Sequence, residues 1–315
     1  MFQLRKRQAH SIRQAPENET CLGFSAEGGL AERIEREKEF FDRLVVEGSA
    51  RRDVLHRFSE AFYEKGSRGC VWSSFREAAH LKDATVLDYG CGDGDFSIML
   101  AARGARVFGV DISLKLIEQA RASAALIGRN RNTPEFLVGD AQRTPFNDAT
   151  FDYVVGNGAL HHLDLEKAFT EIARVLKPGG KAVFLEPMYN HPLLWTLRRL
   201  TPKSHTVDER PLSFADIERT RKGFRSCHHR EHFLFAVCAA PAHLLGKRFA
   251  LAVIGALGRV DQVLMRLLPG LRRYAWLTLM EMEKQAALIP AHLGPARDRP
   301  ATFVSETSYR NPSQP

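Results

Sequence analysis

Cysteine is scarce in this sequence and has no framework spacing. Cys21, Cys70, Cys91, Cys227 and Cys238 are odd in number, scattered, and never paired as CxxC. That excludes a disulfide scaffold and leads us to expect free thiols in a reducing, cytoplasmic compartment. Long apolar runs are also missing. The greasiest stretch, Phe233 to Leu257, is broken by Pro241, His243, Lys247 and Arg248, and a spanning helix needs roughly 20 uninterrupted apolar residues. No transmembrane segment is expected, although peripheral contact with a membrane stays open. The N-terminus is charged and lacks the apolar core of a secretory signal. Internal repeats are absent. Charge is not strongly one-sided: 45 Lys and Arg stand against 37 Asp and Glu, a net +8. Part of the surplus is the run Arg5, Lys6, Arg7 and Arg13, and the rest is spread over the C-terminal third. Without an aromatic-plus-basic RNA-binding signature, no nucleic-acid partner is expected.

What is present is an ordinary globular composition, 44% hydrophobic and 26% charged over 315 residues. That suits one large α/β domain with additions, or two modest domains. Residues 1–30 read as a flexible tail. Residues 31–83 read as an N-terminal helical lid, with helices expected over 31–47, 52–65 and 72–81 from apolar residues at helical spacing. From Thr85 the pattern alternates. Strands are expected at 85–89, 106–110, 135–138, 151–156 and 181–186, and helices at 95–103, 113–127 and 165–176, the second with Ser113 as N-cap. Repeated βα units of this length make a parallel sheet with right-handed crossovers. The expected core spans 84–232, closing with a sixth strand over 223–232. Residues 233–270 form an apolar helical insertion, a final strand falls within 271–284, and 285–315 form a second flexible tail.

The strongest local signal is Asp88-Tyr89-Gly90-Cys91-Gly92-Asp93-Gly94, between the first strand and the first core helix. Glycine there permits a tight bend and close approach of a ligand to backbone. A dinucleotide fingerprint would read GxGxxG; this loop reads GxGxG and follows an acid. A carboxylate repels a pyrophosphate and suits a ligand with cationic groups, such as the α-amino group and sulfonium of S-adenosylmethionine. Asp111 closes the second strand, where an acid can accept hydrogen bonds from ribose hydroxyls. Asp140, with Ala141 beside it, closes the third and is placed for an adenine amino group. Three acids on one edge of a sheet are hard to explain as turn residues alone.

The run Asp88 to Gly94, Gly109-Val110-Asp111-Ile112-Ser113, Gly139-Asp140-Ala141, Phe151-Asp152, Leu160-His161-His162 and Arg174 to Gly180 together resemble class I S-adenosylmethionine-dependent methyltransferases. The likeness is greatest to the group that includes ubiquinone/menaquinone-biosynthesis-type small-molecule enzymes, and it covers about residues 50–190. It implies a Rossmann-like, doubly wound α/β fold with a seven-stranded sheet whose last strand is antiparallel. It further implies that Asp88 and the loop Gly90, Cys91, Gly92, Asp93 and Gly94 hold the methionine part of S-adenosyl-L-methionine, Asp111 with Ile112 the ribose, and Asp140-Ala141 the adenine. Asn157 and Gly158 would line the same pocket.

Methyl transfer from a sulfonium requires collinear alignment and exclusion of water. A neutral hydroxyl or carbon acid also needs a base, for which His161 and Glu186 are the candidates. His162, His191 and His205 are candidate substrate contacts, as are Tyr63 and Trp72 from the N-terminal helices. The segment Thr201–Pro211, with Asp208 and Glu209, is expected to cross the pocket. The run Cys227 to His232 offers no persuasive ligand set on either strand face, and no metal is expected. The insertion reads either as an extra helical layer, buried on the sheet or in a dimer interface, or as a wall for a lipophilic acceptor. The favoured reading is O-methylation of a small, hydrophobic metabolite by a monomer or homodimer. The alternatives are C- or N-methylation of a quinone or lipid precursor, an RNA or protein methyltransferase, and a non-catalytic cofactor-binding module. Against nucleic-acid amino methylation, Gly156-Asn157-Gly158-Ala159 stands where an Asn/Asp-Pro-Pro-Tyr/Phe motif would be expected.

Overall fold

The structure is a computed structural model and describes residues 29–47, 81–127, 132–200, 206, 208–220 and 223–286. Tyr63, Trp72, His205, two of the three expected N-terminal helices and both tails lie outside the described residues. Among the described residues one helix precedes the sheet, α1 (Leu30–Glu47). Strands β1 (Thr85–Tyr89), β2 (Arg106–Asp111), β3 (Glu135–Val138) and β4 (Phe151–Asn157) follow. Between β1 and β2 lies α2 (Asp95–Ala101), between β2 and β3 α3 (Leu114–Leu126), and after β4 α4 (Leu165–Val175). Then come β5 (Leu176–Pro187), α5 (Pro192–Leu200), α6 (Phe214–Thr220), β6 (Ser226–His232), α7 (Lys247–Leu267) and β7 (Leu277–Glu283). The seven strands form one sheet in the order β3-β2-β1-β4-β5-β7-β6. The first five pair in parallel, and β7 runs antiparallel to both neighbours. This is a Rossmann-like, doubly wound fold with an antiparallel last strand.

Both sheet faces are covered, which is why four of the five residues of β1 are buried. On one face, Ala168, Ile172 and Val175 of α4 and Ile217 of α6 pack with Tyr89, Phe151 and Phe184. On the other, Phe96 and Leu100 of α2 and Ile254 of α7 pack with Val86, Val107 and Val183. The strand order reverses between β1 and β4, so their carboxyl ends diverge into a crevice. Ser113 caps α3 as expected, its hydroxyl accepting from the Leu116 amide at 3.1 Å.

Three elements depart from the sequence expectation. Strand β5 starts at Leu176 rather than Lys181, because Leu176 already pairs with Phe151 and the Lys177–Gly180 segment is accommodated by a shift in register. The insertion is not one helix. A 3-10 segment (Ala236–Leu245) containing Pro241 comes first, and Gly246, at φ +106, turns the chain into α7. The last strand begins at Leu277, since Pro269–Tyr274 forms a further 3-10 turn.

Candidate functional site

A cavity of about 230 Å³ opens at the carboxyl ends of β1, β2 and β4. Of the residues expected at the cofactor, Gly90, Gly92, Asp111, Ile112, Asp140, Ala141, Asn157 and Gly158 all line it. Gly90 and Gly92 adopt φ of +73 and +54, a region that favours glycine. A Cβ at Gly90 would sit 2.8 Å from the Ala159 methyl, whereas one at Gly92 meets nothing within 4 Å. Asp111 is anchored through both oxygens, which accept from the Gly92 and Ser113 amides at 2.9 Å each. Burial raises its pKa against these backbone bonds. Asp140 Oδ1 accepts from the Gln142 amide at 2.8 Å.

The remaining expected cofactor residues stay out of the cavity wall. Asp88 is buried beneath the loop and accepts from Ser97 Oγ at 2.6 Å, so it braces the first turns of α2. Burial lifts its pKa to about 7, against the pull of the Ser97 hydrogen bond. Only two of the three strand-end acids therefore face the cavity. Cys91 is packed among Ile117, Ala120 and Phe136, and burial pushes its thiol pKa far up. Asp93 is exposed and accepts from the Asp95 amide at 3.3 Å. Gly94, at φ +79, precedes α2; a Cβ there would meet Ala120 at 2.7 Å and Phe136 at 2.8 Å, a packing requirement rather than a ligand contact.

The two candidate bases also sit behind the wall. Glu186 is completely buried and accepts from the amides of Ala159 at 3.0 Å and Leu160 at 2.9 Å and from His161 Nδ1 at 2.7 Å. Its oxygens tie down the loop after β4, which leaves them unsuited to taking a proton from substrate. The other ring nitrogen of His161 lies 3.4 Å from Glu209. Burial alone would lower the pKa of His161, but its hydrogen bonds to Glu186 and Glu209 outweigh that and raise it to about 9. His161 is thus an imidazolium clamped between carboxylates. His191 also stays outside, joining Leu194 N to the carbonyl of Leu234 at 3.4 and 3.0 Å.

His162 does line the cavity. Its Nδ1 lies 3.1 Å from Glu37 Oε2 without making a hydrogen bond to it, and its ring meets Phe41 edge-on at 5.3 Å. Both partners belong to α1, which forms the outer wall with Arg33, Ile34, Glu37 and Phe41. Sequence reading assigned α1 to a helical lid, with Ile34 and Phe41 in its apolar stripe, but named none of these side chains as site residues, and it missed Leu116, Gln142, Ala159 and Leu163 as well. The available signal was Arg33, Glu37 and Phe41 at successive i, i+4 positions, on one helix face. Helix α1 is fastened by several hydrogen bonds, among them Arg33 to the His162 carbonyl at 2.7 Å. Asp42 accepts from Ser113 Oγ at 2.5 Å, Arg36 pairs with both oxygens of Asp208 at 2.9 and 3.1 Å, and Thr206 donates to Glu37 Oε1 at 2.6 Å. Thr206, Asp208 and Glu209 thus bring the described part of the 201–211 segment against α1 and His161.

His161, His162 and Glu209 each bring one ligand atom within 4.8 Å of the others. Arg198 donates to Glu209 at 2.7 Å. That guanidinium and the imidazolium of His161 both oppose a cation here, so the cluster reads as an ion-pair network. In β6, His229 Nδ1 lies 2.5 Å from Glu231 on the inward face. None of the residues lining the cavity comes from 233–270, so of the two readings of the insertion the acceptor wall finds no support in this cavity. The insertion is the extra helical layer of the other reading, packed on the sheet face that carries α2.

The residue types in the cavity suit S-adenosylmethionine. Two anchored carboxylates and the Asn157 Oδ1, buried without a hydrogen-bond partner, offer acceptors to a donor-rich, cationic ligand. Residues 87–184 match the family described as "Methyltransferase domain". The span from β1 into β5 is thus similar to a methyltransferase domain. The chain is 34% identical over 154 residues to demethylmenaquinone methyltransferase of Symbiobacterium thermophilum, covering 47% of this chain and 58% of that one. It is 27% identical over 196 residues to norajmaline N-methyltransferase of Rauvolfia serpentina, covering 56% and 64%. The chain spans about half the length of the curated relatives it matches. A fold neighbour is phosphoethanolamine N-methyltransferase 2 of Haemonchus contortus in complex with S-adenosyl-L-methionine, with TM-score 0.55, 18% identity, and coverage of 79% of this chain and 60% of that one.

Proposed function

We propose that this chain methylates a small, apolar acceptor at an oxygen that must lose its proton, with His162 as base. The observation that carries this reading is the Glu37–His162 pair at the cavity wall. Bound S-adenosylmethionine supplies a methyl group on a sulfonium, whose departure takes the C–S electrons onto sulfur. Asp111 and Asp140 hold the nucleoside end, and Asn157 Oδ1 accepts from the amino-acid end. His162 takes the proton as the acceptor oxygen forms its bond to the methyl carbon, and the nearby Glu37 carboxylate offsets the charge that develops on it. Phe41, Ile34, Ile112 and Leu163 give the remaining wall its apolar character and exclude water. Helix α1 acts as a lid: because Glu37 rides on it, the base is complete only when α1 is docked.

His162→Ala is expected to reduce kcat by about a hundredfold, within the usual range for a lost general base, while S-adenosylmethionine affinity changes little. Turnover with a panel of phenols, amines and polar sugars checks both the acceptor and the base. Preference for sugars or nucleotides contradicts the apolar acceptor. An unchanged pH profile in His162→Ala contradicts its role.

A further inference from the structure

We propose that the outward face of the insertion, the end of its 3-10 segment together with α7, is a docking surface for an anionic lipid bilayer. Helix α7 has two faces of opposite fate. Ala250, Ile254 and Met265 are buried. Asp261, also fully buried, anchors the helix by accepting from the amides of Leu234 and Phe235 at 2.9 Å and Ala236 at 3.0 Å. On the other side Phe249, Val260, Val263 and Leu267 are at least half exposed, at positions that share one helix face. Just before Gly246, Leu244 and Leu245 are 81% and 74% exposed. Side chains that large, that open and that adjacent are uncommon on a solvated surface.

The charge around this stripe selects the occupant. Between Leu244 and Tyr274 the sequence carries Lys247, Arg248, Arg259, Arg266, Arg272 and Arg273, and a single acid, Asp261. Arg248, Arg259, Arg266 and Arg273 are exposed, whereas the acid is buried with its oxygens taken. A second copy of the chain related by a two-fold axis would bring the same arginines together with no acid from this segment to answer them. An anionic bilayer answers the whole pattern: phosphates accept the arginines while the leucines and Phe249 enter the acyl boundary. No described helix is long and apolar enough to cross a membrane, so the contact is interfacial. It places the enzyme on the surface where an apolar acceptor dissolves, but it stands independently of the methyl-transfer reading.

Co-sedimentation of the full chain with phosphatidylcholine vesicles, with and without phosphatidylserine, tests the proposal. Binding to the anionic vesicles only is expected, and it should weaken with salt as screening shortens. Arg259→Glu with Arg266→Glu is expected to reduce vesicle affinity by roughly tenfold or more, since each cation near such a surface counts. Leu244→Ser with Leu245→Ser should reduce it comparably. Both pairs are expected to leave Tm and S-adenosylmethionine affinity unchanged, which separates this surface from the cofactor site. No binding by the wild-type chain overturns the proposal, as does equal binding by both variants, which would move the contact elsewhere, for instance to the basic N-terminal run. Light scattering that shows a salt-resistant dimer abolished by the leucine variant also overturns it, in favour of a second copy.

Discussion

Among single residues, the paired histidines behave differently although they are adjacent. His162 faces the cavity with Glu37 behind it, while His161 faces inward between Glu186 and Glu209. Because the pKa of His161 is raised from 6.5 to about 9, its stabilising contribution is fully present below pH 6.5 and is lost as pH rises through about 9. Thermal denaturation from pH 6 to 10 is expected to show Tm falling across that window, with His161→Gln less stable at pH 6 and flatter above it. Parallel curves for the two proteins would contradict the clamp. Residue type and spacing pointed to both histidines, but nothing in the order Leu160-His161-His162 tells which ring turns toward ligand. That depends on Glu186 and Glu209, which are distant in sequence and meet His161 only in the fold. Asp88 teaches the same lesson: it heads the glycine loop as the sequence suggests, yet Ser97 turns its carboxylate under the loop.

At the scale of elements, the alternation of strand and helix was legible because both periods are strong and each acid or glycine falls at a strand end. Seven strands with the last antiparallel followed from the resemblance, and the observed pairings agree. What was not legible was the contact between distant elements. Helix α1 closes the cavity through Asp42–Ser113 and Arg36–Asp208, pairs separated by far more chain than any local pattern spans. The insertion's period could not reveal Gly246 as a break, or Asp261 as the residue that joins α7 to the chain after β6. Asp261→Ala would leave three amides without their acceptor and is expected to cost about 3 kcal/mol, on the scale for buried donors left unpaired. Urea denaturation checks this; a loss below about 0.5 kcal/mol, the level of an ordinary surface change, would show that the tether is not used.

For the whole molecule, the central claim is that the cavity between the glycine bend and α1 is the S-adenosylmethionine site. Asp111 is the residue on which it turns, because it is anchored at the bend, half-buried, and part of the cavity wall. The most direct measurement is isothermal titration of S-adenosylmethionine into the wild-type chain and Asp111→Ala, with Leu244→Ser as a control far from the cavity wall. Loss of a charge-assisted hydrogen bond is worth about 1.5–3 kcal/mol, so Asp111→Ala is expected to weaken binding by roughly ten- to a hundredfold or more, with the control unchanged. Equal affinity in wild type and Asp111→Ala, or no binding by the wild type, would contradict the account.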